Sequence, residues 1–185
     1  MKILIDKLIS VYALIIFIAI DGGSEISPYS FSCTASSYYD QIRGTKYSCR
    51  SALDANNITS WAANGERVGA WIFIDFKKHY VLSKITLKHR FYYTGYNWNA
   101  EIKKVKIQFS DGQSEEKLLS TNFENSVKFA NKTKTNSVNI TVIDVFNPFV
   151  FHYDQKSSIG FSELRFYNNS MATNDGKLIS SFISD

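Results

Sequence analysis

Residues 71–76 read Trp71-Ile72-Phe73-Ile74-Asp75-Phe76. The run is aromatic and β-branched, is interrupted only by Asp75, and has the length of one strand. Moving outward, Lys84-Ile85-Thr86-Leu87-Lys88 alternates with period two, which puts Ile85 and Leu87 on one face. Val105, Ile107 and Phe109 repeat that pattern and run into Ser110-Asp111-Gly112, a turn signal. Val138 to Val142 alternates again, and Phe161 to Phe166 does so less cleanly. Beyond the amino terminus, no segment holds an amphipathic helical pattern through 12 residues. Many short strands separated by polar turns predict an all-β domain, a sandwich or a barrel.

The chain has 185 residues, enough for one domain with a sizeable core and too few for two large ones. With 14 Phe, 11 Tyr and 3 Trp it has ample surface to bury, which excludes disorder as the main state. Only 2 Pro exclude a Pro-rich chain, and 2 Cys exclude a disulfide-dense miniprotein. The net charge of +4 is mild, and no Lys/Arg-rich run occurs. The nearest, Lys103-Lys104-Val105-Lys106, alternates on a strand face, so nucleic acid is not an expected partner.

Residues 1–24 read as a secretory signal peptide. Lys2 and Lys7 make a basic start, Leu8 to Ile20 form an uncharged, mostly apolar run, and Asp21-Gly22-Gly23 break it. The run is too short to span a bilayer comfortably. Ser24 is taken as the last residue removed; an uncleaved signal anchor is the alternative. Residues 25–169 then make one domain, and 170–185 a polar tail that is either frayed or a docking strand. Secretion makes Cys33 and Cys49 candidate partners for a disulfide, the alternative being two free thiols. Closing that loop of about 17 residues would contribute roughly 3 kcal/mol. Asn57, Asn131, Asn139 and Asn168 each head an N-x-[ST] sequon.

Catalytic signals are poor. His79, His89 and His152 are the only histidines, and no H-E-x-x-H, C-x-x-C, G-x-S-x-G or P-loop spacing is present. The distinctive stretch is Ala52-Leu53-Asp54-Ala55-Asn56-Asn57-Ile58-Thr59-Ser60-Trp61. Oxygens at alternate positions 54 and 56 suit a hard cation such as Ca²⁺. Alternatively they bond their own backbone in an Asx-turn.

Four motifs in order resemble the discoidin, or coagulation factor 5/8 type C, family of the galactose-binding-like group. Ala52, Asp54, Asn56, Thr59 and Trp61 match A-x-D-G-(N/D)-x-x-T-x-W. Trp71, Ile72, Ile74, Asp75 and Phe76 match W-(I/L)-x-(I/V)-D-(L/F). Ser110-Asp111-Gly112 match the turn, and Ile159, Gly160, Glu163, Leu164 and Phe166 match the closing strand. The likeness spans about residues 31–167. It implies a jelly-roll β-sandwich used for binding, with no catalytic residues. It also implies a structural Ca²⁺ whose ligands would be Asp54, Asn56, the Thr59 backbone and Glu163. Ala55 departs from the family, which commonly has Gly there; a left-handed backbone would strain alanine. Cys33 and Cys49 depart too, since both lie near the start instead of joining the chain ends.

In that family, loops at one end of the sandwich hold the ligand. By position these are 36–48, 62–69, 88–100 and 150–158, which hold Tyr39, His89, Arg90, Tyr92, Tyr93, Tyr96, Trp98 and His152. Aromatic rings pack on the C–H faces of sugars while Arg, Asn and His bond hydroxyls. The expectation is a secreted module that binds glycans or glycoproteins at cell surfaces or in matrix. The alternative is an anionic phospholipid surface or a protein receptor, with Arg43, Lys46 and Arg67 supplying charge.

Overall fold

The computed structural model describes residues 23–39, 44–90, 102–146 and 159–169. Residues 1–22 of the leader read over 1–24, and the tail 170–185, lie outside them. The described residues hold eight strands and no α-helix: β1 (Ser24–Glu25), β2 (Ser32–Ala35), β3 (Trp61–Ala62), β4 (Trp71–His89), β5 (Ile102–Phe109), β6 (Ser114–Leu118), β7 (Glu124–Val145) and β8 (Gly160–Asn168). Every pair among these strands is antiparallel. Ser24 stands inside β1, opposite Asn168.

The segments 71–76 and 84–88 are halves of one strand. β4 runs 19 residues and bends between Asp75 and Tyr80, where its register against β7 shifts. The bend is chemically specified. Asp75 Oδ1 accepts the Lys77 backbone N–H at 2.8 Å and Lys77 Nζ lies 2.8 Å from Asp75 Oδ2. Lys77 takes φ 65°, a left-handed residue that re-aims the strand. Both hydrogen bonds from Lys77 hold the Asp75 carboxyl below its usual range. β7 pairs with both halves of β4, and the two long strands serve both layers of a jelly-roll β-sandwich. One layer joins β2, the first half of β4, the second half of β7, β5 and β6. The other joins the far halves of β7 and β4 to β8, β1 and β3.

The core lies between the layers. Ile72, Ile74 and Phe76 from β4, Val138, Ile140 and Val142 from β7, and Val105 and Ile107 from β5 face Leu82, Ile85, Leu87, Leu164 and Phe166. Phe76 meets Phe166 edge-on at 5.1 Å, and Phe31 meets both rings at 4.9 and 5.9 Å. Each such ring contributes about 2 kcal/mol by burial. Cys33 and Cys49 are joined, so the bridge pins β2 to the 3-10 turn Cys49–Ala52. Arg50 in that turn donates to the Phe31 carbonyl at 2.6 Å and the Pro28 carbonyl at 3.3 Å. Gly160 lets β3 approach β8, since a Cβ there would lie 1.9 Å from the Trp61 carbonyl oxygen.

Candidate functional site

The loop after the Cys49–Ala52 turn lies over the outer face of β8. Asp54 Oδ1 accepts the Asn56 N–H at 2.9 Å, and Asn56 Oδ1 accepts the Ile58 N–H at 3.1 Å. The Thr59 hydroxyl reaches Asp54 Oδ2 at 2.7 Å, and Thr59 N–H bonds the Asn56 carbonyl at 3.2 Å. These are the self-bonding turns expected of Asx residues. Ala55, between them, takes φ 59°. The glycine expected there by resemblance would carry no cost in that region; alanine does.

Beneath the turn lies Glu163, 1% exposed, with Oε2 buried and unpartnered. Burial raises its pKa to about 7; Asp54 pushes the same way, while Arg165, Lys88 and the Ala55 N–H oppose. A buried carboxylate oxygen with no partner, beside a second carboxylate, is short of positive charge. Those donors fit a hard cation with oxygen ligands. Asp54 and Glu163 would supply charge, and Asn56 and the Thr59 backbone neutral oxygens. Among the described residues no three His, Cys, Asp or Glu side chains gather as a metal cluster.

The second cluster is aromatic and cationic. Tyr39, 46% exposed, meets Tyr47 edge-on at 5.6 Å. Arg90 Cζ lies 5.1 Å from the Tyr47 ring centre and Lys46 Nζ 5.3 Å from it. Strand β3 positions the tyrosines: Tyr39 N–H donates to the Ala62 carbonyl at 2.7 Å, and Ala62 N–H to the Tyr47 carbonyl at 3.2 Å. Trp61 stacks on Phe161 at 5.9 Å and donates from Nε1 to the Ser37 carbonyl at 2.9 Å. Arg90 is placed by its N–H, 3.2 Å from the Gly160 carbonyl.

Of the sequence-predicted ligand residues, the structure therefore brings Tyr39 and Arg90 together through Tyr47, which sequence reasoning left unnamed within its loop. His89 behaves differently. It is 8% exposed, and its Nε2 lies 3.0 Å from the Ser120 carbonyl and 3.1 Å from Asn125 Nδ2. The ring is engaged with the loop before β7, so it shapes this end from within. Tyr92, Tyr93, Tyr96, Trp98 and His152 lie outside the described residues. Among the sequons, Asn57 is exposed and its Oδ1 accepts from Lys88 Nζ. Asn168 Oδ1 accepts the Val81 N–H at 3.0 Å. Asn139 sits mid-sheet with Oδ1 buried, and the Asn131 side chain lies outside the described residues.

This architecture is shared with solved binding domains. A family 32 CBM (carbohydrate-binding module) of Clostridium perfringens NanJ, solved with galactose, superposes with TM-score 0.62 at 21% identity. The match covers 78% of this chain and 98% of that one. Another C. perfringens module, CpGH89CBM32-5, solved with GalNAc-β-1,3-galactose, gives 0.62 at 18% identity over 78% and 99%. An F5/8 type C domain of a Bacteroides fragilis protein gives 0.58 at 16% identity over 80% and 97%. The protein thus has the galactose-binding-like fold of CBM32 and F5/8 type C domains. No curated protein matches its sequence. Residues 30–167 match a family described as "Domain of unknown function (DUF7402)", and the chain belongs to that family.

Proposed function

We propose that this chain is an extracellular, non-enzymatic recognition module that binds glycans through one end of its sandwich. The observation that carries this reading is the convergence of Tyr39 and Tyr47, both bonded to Ala62 of β3, with Arg90, bonded to Gly160 of β8. Half-exposed rings offer apolar faces to sugar C–H groups, and a guanidinium beside them donates to hydroxyls. The folds solved with galactose and with GalNAc-β-1,3-galactose support the same class of ligand. The disulfide supports an oxidising compartment. By their place in the chain Tyr92, Tyr93, Tyr96 and Trp98 are further candidate ligand residues, and His89 would brace the end of β4.

A structural Ca²⁺ belongs to this reading, held by Asp54, Asn56, the Thr59 backbone and Glu163. When bound it would supply the positive charge that Glu163 lacks; it would have no chemical step to perform. The second reading, an anionic membrane surface, is favoured by two exposed apolar loop residues: Ile58 is 91% exposed and Val68 60%. Purified mature protein on a glycan array, with calcium and with chelator, tests the proposal. Selective binding that fails on Tyr47→Ala supports it. A blank array together with sedimentation on phosphatidylserine vesicles would transfer the function to the membrane reading.

A further inference from the structure

Lys88 is an unusual residue in this fold. It sits on the outer face of β4, where strand lysines ordinarily stand in water, yet it is 8% exposed. Across the sheet it stands directly between Glu124 of β7 and Glu163 of β8. Its Nζ lies 3.3 Å from Glu124 Oε2 and 3.2 Å from Asn57 Oδ1. Asn57 belongs to the 54–59 turn itself, and Phe123 puts a ring 5.9 Å from the ammonium on a further side. One buried ammonium thus ties the turn, the β4–β7 pair and the field around Glu163 together.

We propose that Lys88 is the turn's own cation: its ammonium, fixed by Glu124, holds Asn57 and with it the 54–59 turn against β8 in the metal-free protein. This is the mechanical task that a bound ion would otherwise perform there. The positive charge comes from the chain, so the turn keeps its shape with or without calcium. The tether itself does not depend on glycan binding. Only the calcium arm of its test rests on the ion site proposed above.

The test is amide hydrogen exchange on the full mature chain, comparing wild type with Lys88→Met and Asn57→Ala, in chelator and in excess calcium. Methionine keeps the bulk and leaves Glu124 in water; Asn57→Ala leaves the sheet untouched, in case burial at position 88 proves essential. In chelator both variants should speed exchange at Ala55, Asn56, Ile58 and Thr59 about tenfold, as expected for loss of one charged hydrogen bond. Amides of β5 and of residues 137–145 should not change. Unchanged turn exchange in both variants, or an equal rise throughout the domain, overturns the proposal. Calcium should return Lys88→Met toward wild type. If calcium protects the wild-type turn but fails to restore Lys88→Met, Lys88 is not standing in for the ion and the proposal falls. If calcium affects neither protein, the ion site fails, and the chelator arm still decides Lys88.

Discussion

Replacing Glu163 by Gln should make this protein more stable in alkaline chelator and change it little in acid. The carboxyl's folded pKa is about 7 against an ordinary 4.5. Below pH 4.5 both folded and unfolded chains carry the proton. Between 4.5 and 7 the folded chain binds more protons than the unfolded one, so stability falls as pH rises. Above 7 the folded protein holds an ionised, unpartnered oxygen, and the whole cost is present. That cost is at most about 3–4 kcal/mol, from about 1.4 kcal/mol per pKa unit over the shift from 4.5 to about 7. Glutamine does not titrate. The stability difference between Glu163→Gln and wild type should therefore grow by about that amount from pH 4.5 to pH 8, roughly 10 °C in Tm for a domain of this size. Any constant cost of fitting the amide cancels in this double difference. Thermal unfolding followed by tryptophan fluorescence across that range, in chelator, measures it. In calcium the wild-type slope should flatten, because an ion beside Glu163 compensates the ionised form. Parallel pH profiles for the two proteins would refute both the buried carboxylate and the ion site built on it.

Three further outcomes follow from the same geometry. Ala55→Gly should raise stability by about 0.5–1 kcal/mol, because φ 59° strains alanine and not glycine; a chemical denaturation midpoint reads this directly. Tyr47→Ala and Arg90→Ala should each weaken binding of the best array glycan about tenfold while leaving Tm within 2–3 °C or so, since both side chains sit at the surface end. Isothermal titration with matched melting curves checks both, and an unaltered Kd would remove these residues from the site. Cys33→Ser with Cys49→Ser should cost about 3 kcal/mol, because the bridge spans a separation of 16 residues. A much smaller loss in calorimetry would mean that Arg50 alone holds β2 to the 3-10 turn.

The period-two runs located β4, β5, β8 and the second half of β7 because each puts apolar side chains on one buried face. What they did not reveal is continuity. Lys77-Lys78-His79 reads as a polar break between two strands, yet the chain stays extended through it; one aspartate and one left-handed lysine turn the strand between layers without ending it. The first half of β7 was illegible for a related reason. Among its described side chains Val127 and Phe129 are the apolar ones on the inner face, and most of the others are Glu, Asn, Ser and Lys, because its other side meets water. The Asp54–Thr59 turn and Glu163 were readable only as members of a family pattern. The pattern also flagged Ala55, where the left-handed backbone is found. The cluster of Tyr39, Tyr47 and Arg90 depends on contacts across some 40 residues that no local spacing encodes. His89 shows the converse: a residue type suited to ligands is the last of β4, and its Nε2 lies against the Ser120 carbonyl and Asn125 Nδ2.

The two candidate sites are joined by backbone, and this gives an ion in the turn a way to act on a ligand it would not touch. Thr59 ends the turn and Trp61 opens β3 two residues later, held by Phe161 and by Ser37. Ala62 then fixes Tyr39 through its carbonyl and Tyr47 through its N–H. Whatever stiffens residues 54–59, whether Lys88 or a bound cation, stiffens the two-residue strand on which both tyrosines hang. Aromatic platforms gain affinity chiefly by being held in place before the ligand arrives. The strained alanine, the unpartnered glutamate and the buried lysine then belong to one mechanical problem. A short strand with two backbone partners on one side and Gly160 on the other must be kept rigid at the end of the sandwich, and the buried Trp61 ring is what anchors it to the core.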